Sequence, residues 1–333
     1  MFKEHWDLIS RKPGLSEEFL RENSDKVNWG LVSYYQKLSE KFIIDFSDKV
    51  NWQYISGYQK LSESFIREFS DKVNWRYISY YQKLSELSIK ENTNNVDWFL
   101  ISKHQRLSEK FIREFFDKVN WNLISQYQSL SEEFIREFSD KVHWYNISQY
   151  QKLSEKFIIE NSHKVDLDVI SVCQKLSEKF IRENLEKLNF DYISWYQKLS
   201  PEYIQEYNLE IPENFWLYKD KEFKREYIKK NTEYDIIGDK VIAYKTCRSD
   251  GYSLYNFQYH YEVGKEYEAH ANFNINEENS FGLSAWTKTK ALNYYPEGKL
   301  FKVEIDIENI AAIVREGNKI RASKIKILEE IKS

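Results

Sequence analysis

Four basic residues near the end of the chain are the first candidates for chemistry. They are Lys245, Arg248, Lys319 and Arg321, and they lie in segments rich in β-branched and aromatic residues. Clustered lysine and arginine side chains can hold a phosphate or another anion. We therefore treat these four residues as a candidate anion-binding or nucleotide-binding set. The whole chain has a formal charge of −4, which does not favour nucleic acid as a partner.

The sequence contains no motif for a metal ion, a cofactor or a catalytic nucleophile. Neither a glycine-rich nucleotide loop nor a nucleophile elbow occurs, and the histidines lack metal-ligand spacing. These histidines are His5, His104, His143, His163, His260 and His270. We therefore expect no metal and no cofactor.

The cellular location is predicted from cysteine usage and hydropathy. Two cysteines, Cys173 and Cys247, make no disulfide framework and fit a reducing compartment. The chain has no apolar run at its N-terminus and none approaching about 18 residues elsewhere. These features predict a soluble cytoplasmic protein that makes no contact with membranes.

Two thirds of the chain consist of one recurring motif, Leu-Ser-Glu-x-Phe-Ile-Arg-Glu. Its leucine returns every 23 residues from Leu15 to Leu199. A tryptophan ladder runs in phase from Trp6 to Trp144 and continues as Leu167 and Phe190. A fixed short period predicts stacked repeats, each of which buries its apolar face against its neighbours.

Each repeat is predicted to fold as two short helices. The first, helix A, begins after a serine such as Ser62, because the serine hydroxyl is a preferred N-cap. Pro201 directly follows Ser200 in one copy, which supports this start because proline is favoured at the first helical position. The second, helix B, follows an asparagine cap such as Asn74.

Helix B is expected to bury one stripe and to hold two structural polar residues. The stripe is formed by Trp75, Ile78 and Tyr81, so the recurring tyrosine is interpreted as core. Ser79 is predicted to bond a carbonyl one turn back. Gln82, at the end of the helix, is predicted to tie successive turns together because its amide both donates and accepts.

Two exposed positions of helix B vary without common chemistry, whereas the variable position of helix A is mostly lysine or glutamate. One position directly follows the tryptophan and the other lies one turn later, so both share a face. Tyrosine, tryptophan and arginine dominate interface energetics, and we interpret this helix B face as a partner-binding surface. The alternative is drift at unconstrained sites. The face contains Tyr34, Gln53, Arg76, Tyr80, Phe99, Lys103, Asn122, Gln126, Tyr145, Gln149 and Trp195.

The predicted fold is an α solenoid of helix-turn-helix repeats with a period of 23, followed by a small α+β, mainly antiparallel β, domain. Residues 1–199 form the array, residues 200–233 a degenerate capping repeat and linker, and residues 234–333 the C-terminal domain. In that domain, the composition predicts one helix at 287–294 and a hairpin turn at 316–319. Predicted strands cover 240–246, 259–269, 282–286, 299–307, 311–315 and 320–328.

Both parts of the chain resemble known families. The repeat is similar to the short two-helix repeats found in many copies in proteins of giant viruses and bacteriophages. The C-terminal stretch resembles an uncharacterised domain attached to such repeats, or to pentapeptide repeats, in phage and viral proteins. The matching pieces are Ala243-Tyr244-Lys245, Tyr261-Glu262-Val263-Gly264-Lys265, Gly282-Leu283 with Ala291 and Tyr294, and Lys319-Ile320-Arg321-Ala322. These resemblances imply a phage or viral origin and a partner in the host.

A second resemblance suggests an enzymatic alternative. The segment Gly282–Thr287 and the strand Leu300–Ile305 resemble parts of an ADP-ribosyltransferase core. This resemblance implies that Lys245 or Arg248 would hold a pyrophosphate and that Glu304 would be the catalytic carboxylate. The serine-threonine-serine strand of that family is incomplete here. The alternation of Glu304 with Val303 and Ile305 instead favours an outward-facing strand residue.

These observations together predict a non-enzymatic scaffold for protein–protein interaction. It would bind, and thereby inhibit, a host protein such as a defence factor along the helix B face. ADP-ribosyltransferase-like or nucleotide-binding activity in the C-terminal domain is the alternative, and the oligomeric state stays open.

Overall fold

Short helices at a constant spacing occupy the chain up to residue 206 in the computed structural model, which describes residues 2–211, 215–254 and 257–331. The A helices are α2 (Glu17–Glu22), α4 (Glu40–Asp45), α6 (Glu63–Glu68), α8 (Glu86–Glu91), α10 (Glu109–Glu114), α12 (Glu132–Glu137), α14 (Glu155–Glu160), α16 (Glu178–Glu183) and α18 (Pro201–Glu206). The B helices are α1 (Phe2–Arg11), α3 (Trp29–Tyr35), α5 (Trp52–Tyr58), α7 (Trp75–Tyr81), α9 (Trp98–His104), α11 (Trp121–Tyr127), α13 (Trp144–Tyr150), α15 (Leu167–Cys173) and α17 (Phe190–Tyr196). The predicted repeat of helix pairs is confirmed.

The chain divides into two compact units, Met1–Ile124 and Ser125–Ser333. Unit 1 contains repeats alone, and unit 2 contains the later repeats together with the β-rich region. No helix among the described residues is both long and apolar enough to cross a bilayer. The three-part division predicted from the sequence stays a prediction.

The predicted helix caps are confirmed. The Ser62 hydroxyl accepts a hydrogen bond from the Phe65 N–H at 3.2 Å. The Asn74 side chain accepts from the N–H groups of Arg76 and Tyr77. Pro201 is the first residue of α18. Each cap satisfies backbone donors that the helix itself leaves unpaired.

The glutamine that ends helix B joins consecutive repeats. The Gln59 amide nitrogen donates to the carbonyl oxygens of Ser33 at 3.0 Å and Gln36 at 2.8 Å. Its oxygen accepts from the Leu38 N–H at 3.0 Å. The same three bonds recur at Gln82 and Gln105 in unit 1 and at Gln151, Gln174 and Gln197 in unit 2. The predicted role of this glutamine is confirmed, and its partners lie in the preceding repeat.

Two further polar residues link neighbouring repeats. The Ser33 hydroxyl donates to the Trp29 carbonyl one turn back at 2.7 Å, as predicted, and also accepts from the Asn51 N–H of the next repeat at 3.0 Å. The Glu40 carboxylate accepts from both the N–H and the hydroxyl of Ser62, the next A-helix cap. Hydrogen bonds therefore fix the position of each repeat against its predecessor.

Apolar side chains fill the space between these polar links. Ile55, Phe65 and Ile66 are buried. The Trp52 indole stacks on Phe65 with 6.1 Å between ring centroids. Large buried side chains contribute about 1.5–3 kcal/mol each, so these rings supply the burial that six- and seven-residue helices cannot obtain alone.

Beyond the repeats, unit 2 continues with α19 (Lys221–Asn231) and an antiparallel sheet. The strands are β1 (Asp235–Ile237), β2 (Lys240–Cys247), β3 (Glu266–Glu268), β4 (Leu283–Trp286), β5 (Lys299–Asp306), β6 (Ile310–Val314), β7 (Lys319–Ala322) and β8 (Lys324–Ile331), and α20 (Lys288–Tyr294) follows β4. The order is β3-β8-β5-β2-β4-β7-β6, with β1 paired to β2. The predicted α+β domain with mainly antiparallel strands is confirmed.

Three details of the sheet differ from the sequence prediction. The predicted strand 320–328 is interrupted at Ser323 into β7 and β8, which pair with different neighbours. Only Glu266–Glu268 of the predicted strand 259–269 is strand, and β1 was not predicted. The turn between β6 and β7 is a tight one, as predicted, with positive φ from Arg315 to Gly317.

Replacing Gln59 with alanine should destabilise unit 1. The substitution leaves the Leu38 N–H and the carbonyls of Ser33 and Gln36 without their partner, and each unsatisfied buried group costs about 1–3 kcal/mol. We expect the free energy of unfolding in urea to fall by about 3 kcal/mol. Lys60→Ala, at the exposed neighbouring position, is the control and should change it by less than about 0.5 kcal/mol. Equal effects of the two substitutions would contradict the structural role of the amide.

Candidate protein-binding surface on the B helices

The variable aromatic residues of helix B are exposed in unit 1. Tyr34 is 37%, Tyr80 44% and Phe99 55% accessible to solvent. Gln53, Arg76 and Asn122 are also exposed, and Lys103 is half-buried. Large aromatic side chains at exposed positions are typical of surfaces that bind other proteins.

In unit 2, other parts of the chain contact this helix B face. Tyr145 and Trp195 are exposed, whereas Gln126 and Gln149 are half-buried. The Trp195 ring lies edge-on to Phe215, with centroids 5.6 Å apart. One edge of Trp195 is therefore already used inside the protein.

A second aromatic column lies beside the variable positions, and the sequence analysis assigned it to the core. That interpretation is wrong for Tyr35, Tyr58 and Tyr81, which are exposed. We call the whole cluster in unit 1 the tyrosine ladder. It consists of Tyr34, Tyr35, Tyr54, Tyr58, Tyr77, Tyr80, Tyr81 and His104.

Ring contacts run through the ladder from one repeat to the next. The centroids are 4.3 Å apart for Tyr34 and Tyr58, 5.7 Å for Tyr58 and Tyr81, and 4.2 Å for Tyr80 and His104. Tilted and edge-on rings at these distances attract one another. The sequence signal for this cluster was the tyrosine that recurs at one helix B position in three consecutive repeats, as Tyr35, Tyr58 and Tyr81.

Gly57 makes room for one of these contacts. A Cβ atom at this position would lie 2.6 Å from Cδ1 of Tyr77, so the ring packs directly on the α5 backbone. The Tyr77 hydroxyl accepts a hydrogen bond from the Gln53 amide at 2.8 Å. Partial desolvation of the hydroxyl, together with the hydrogen bond and charge of Tyr34, raises the pKa of Tyr58 to about 12.

The equivalent column in unit 2 is covered by the chain's own segment 258–281. The Gln258 amide donates to the Tyr150 carbonyl at 2.9 Å and to the Gln151 side-chain oxygen at 3.1 Å. The Tyr196 hydroxyl donates to the Glu277 carboxylate at 3.2 Å. The B helices of unit 2 thus provide a docking surface for polypeptide within this protein.

His270 completes this internal interface. Its Nε2 lies 3.1 Å from the Val172 carbonyl oxygen, so this nitrogen carries the proton and donates. The ring stacks on Phe281, with centroids 5.0 Å apart. Burial, aided by the charge of Lys175, lowers the pKa of His270 from 6.5 to about 4. The imidazole is therefore neutral at physiological pH.

Three of the four candidate anion-binding residues are buried and bonded to backbone carbonyls. Lys245 donates to Ser284 and Lys319 to Glu278, each at 2.9 Å, and burial lowers the pKa of both ammonium groups to about 8. Arg321 donates to Asn272 at 2.8 Å and also to the Asn274 and Glu277 carbonyls. These contacts hold the segment 272–284, which includes Glu277, in place. They favour a structural role.

The remaining candidates for chemistry lie apart from the B helices. Arg248 lies 5.0 Å above the Phe257 ring and pairs with Asp250 at 3.5 Å. Glu304 faces away from Val303 and Ile305 on β5 and contacts Lys240 at 2.7 Å. The Lys240 hydrogen bond lowers the pKa of Glu304, so this carboxylate is ionised. These contacts favour a cross-strand role for Glu304.

No group of three or more potential metal ligands occurs in the described parts of the chain. A family model described as a domain of unknown function (DUF7666) matches residues 241–333. Comparisons with curated proteins and with solved structures give no match. The family match therefore covers strands β3 to β8 and most of β2, and its description names no activity.

Gly57→Ala should not give the increase in stability that alanine normally brings to a helix. Alanine is favoured over glycine in helices by about 1 kcal/mol, but its Cβ would displace the Tyr77 ring. We expect no increase in the free energy of unfolding, together with greater solvent accessibility of Tyr77 by hydroxyl-radical footprinting. Gly30→Ala is the control because its Cβ would meet only the Asn28 Oδ1, at 3.3 Å, and no ring packed on the backbone. That contact is tight, so the control should gain less than about 1 kcal/mol; an equal gain at Gly57 would contradict the close packing.

His270→Gln should reduce the acid sensitivity of unit 2. Since the folded pKa of His270 lies below its unfolded value, its contribution is complete above pH 6.5 and falls as the pH decreases toward 4. The loss is about 1.4 kcal/mol per pH unit within that range. Urea unfolding at pH 7 and pH 5 should therefore show a drop about 2 kcal/mol smaller for the variant than for the wild type. If the free energy of unfolding fell equally for the variant and the wild type, the His270 imidazole would not be held neutral in the folded protein.

Proposed function

We propose that this chain is a non-enzymatic scaffold that binds a partner protein along the helix B face. The observation that carries the proposal is the exposure of Tyr34, Tyr80, Phe99 and Tyr145 at positions that vary between otherwise uniform repeats. Exposed aromatic rings lower the solubility of a protein, so a cluster of them is typical of a binding surface. The helix A positions that vary carry mostly lysine and glutamate, so the aromatic bias is specific to helix B.

The docking of segment 258–281 supports the same proposal. It is an instance in which B helices hold polypeptide through hydrogen bonds and ring contacts. Helical repeat proteins also use one extended surface for binding.

The proposed partner is a host protein, and the proposed origin is a phage or virus. This step is supported by the resemblance, drawn from the sequence alone, of the two-helix repeat and of the C-terminal stretch to parts of phage and viral proteins. Binding along a face of this kind would block a surface of the partner, which is how a scaffold without chemistry inhibits a host defence factor.

The test is affinity capture from a bacterial lysate with the wild type and two triple variants. The first variant replaces Phe99, Tyr145 and Trp195 with serine. The control replaces Ile44, Leu87 and Ile159 with serine, because these are exposed apolar residues of the A helices. Truncating a hot-spot side chain costs about 2 kcal/mol or more, so we expect the first variant to lose a captured protein that the control retains.

The measured quantity is the dissociation constant of the captured protein, with thermal unfolding to confirm that both variants fold. We expect it to rise by at least about 100-fold for the helix B variant. Full affinity of the helix B variant, or equal loss in the control, would reject the helix B face as the binding surface.

A further inference from the structure

We infer that the tyrosine ladder of unit 1 binds an extended acidic segment of a partner polypeptide that also carries aromatic side chains. This inference rests on the proposed function and names the chemistry of the partner. It is drawn from the way in which unit 2 holds the chain's own segment 258–281, at positions that are equivalent by repeat to the ladder.

The internal interface uses three kinds of contact. Side-chain N–H groups of Gln258 and His270 reach carbonyl oxygens at the ends of B helices. The Tyr196 hydroxyl donates to the Glu277 carboxylate. The Phe281 ring packs against Tyr196 with centroids 6.2 Å apart. Such a surface selects a segment with carboxylates, amides and rings.

The tyrosine ladder presents the same groups in unit 1. Tyr35, Tyr58 and Tyr81 occupy the positions equivalent to Tyr150 and Tyr196 in the repeat, and they are 44%, 43% and 50% exposed. Their rings and hydroxyls therefore stand where a bound segment would find stacking surfaces and hydrogen-bond donors. The ladder extends this pattern over several repeats, which fits an extended chain rather than a small molecule.

Charge complementarity indicates that the bound segment is acidic. A basic residue follows the glutamine at the end of four consecutive B helices of unit 1, and all four residues are exposed: Lys37, Lys60, Lys83 and Arg106. In unit 2, the Glu277 carboxylate of the docked segment contacts a B helix through the Tyr196 hydroxyl. Opposite charges across an interface favour the correct partner and disfavour a basic one.

A single-stranded nucleic acid could also stack on tyrosines flanked by lysines. The polypeptide is favoured because the ligand observed on this type of surface is polypeptide. Nucleic acid is therefore kept as an outcome of the test.

The experiment measures binding of defined polymers to the full chain by biolayer interferometry. The probes are a random glutamate–tyrosine copolymer, polyglutamate, a lysine–tyrosine copolymer and an oligothymidylate. We expect the glutamate–tyrosine copolymer to bind best, polyglutamate to bind less tightly and the lysine–tyrosine copolymer not to bind. Raising the salt concentration to about 0.15 M should weaken binding of the acidic probes, because exposed charges are then screened beyond about 8 Å.

Two variants and one control locate the binding. The ladder variant carries Tyr35→Ser, Tyr58→Ser and Tyr81→Ser, and the charge variant carries Lys60→Glu and Lys83→Glu. Each should bind the glutamate–tyrosine copolymer at least about tenfold less tightly. The control carries Lys41→Glu and Lys110→Glu, the same charge change at exposed A-helix positions, and should stay within about twofold. If the ladder variant does not fold because three rings are lost, the charge variant still tests the inference.

Three outcomes would overturn the inference: preference for the oligothymidylate, binding of the lysine–tyrosine copolymer, or undiminished binding by the ladder and charge variants. The capture experiment separates this failure from that of the proposed function. A captured protein lost by the Phe99, Tyr145 and Trp195 variant but retained by the ladder variant would refute the ladder alone. A protein retained by both would refute the proposed function as well.

Discussion

The hydrogen bonds of the glutamine that follows the B helices from α3 onward are the interaction on which the repeat structure depends. One carboxamide satisfies three buried backbone groups of the preceding repeat, as Gln59 does for Ser33, Gln36 and Leu38. An unsatisfied group in that position would cost as much as a repeat gains from burying one large ring. The period of 23 is therefore constrained by hydrogen-bond geometry as well as by packing, and insertions between repeats would break it.

That constraint decides which positions are free to vary. The serine, glutamine, asparagine cap and isoleucine of helix B are all committed to contacts between or within repeats. The residue after the tryptophan is exposed in most copies, and the residue one turn later is exposed or half-buried. Their variation is consequently confined to one face, where the repeat spacing brings residues of neighbouring units together. The tyrosine ladder arises from this arrangement, since Tyr58 meets Tyr34 and Tyr81 of the flanking repeats.

The period, the caps and the helix boundaries could be predicted from the sequence because each depends on local chemistry. Ser62, Asn74 and Pro201 illustrate this, since a cap needs only its own side chain and the next backbone N–H groups. The partners of Gln59 and Ser33 across repeats could not be predicted, because they depend on how one helix pair sits on another. For the same reason, the periodicity placed Tyr81 on the buried stripe with Trp75 and Ile78, although its ring is half exposed. In the sheet, the composition of residues 320–328 predicted one strand. It does not reveal that Ser323 separates β7, which pairs with β4, from β8, which pairs with β5.

The buried cations of the sheet domain connect its fold to the B helices. A buried ammonium or guanidinium is costly unless it finds hydrogen-bond acceptors, and here Lys245, Lys319 and Arg321 donate to carbonyls of the segment 272–284. The same segment carries Glu277, which accepts from Tyr196. The cations that the sequence analysis interpreted as an anion-binding site thus stabilise the segment 272–284. The Glu277 carboxylate of this segment contacts Tyr196 of the repeats. A ring with a hydroxyl suits both situations found in this protein, because tyrosine can donate to a docked carboxylate in one unit and remain hydrated at the surface of the other.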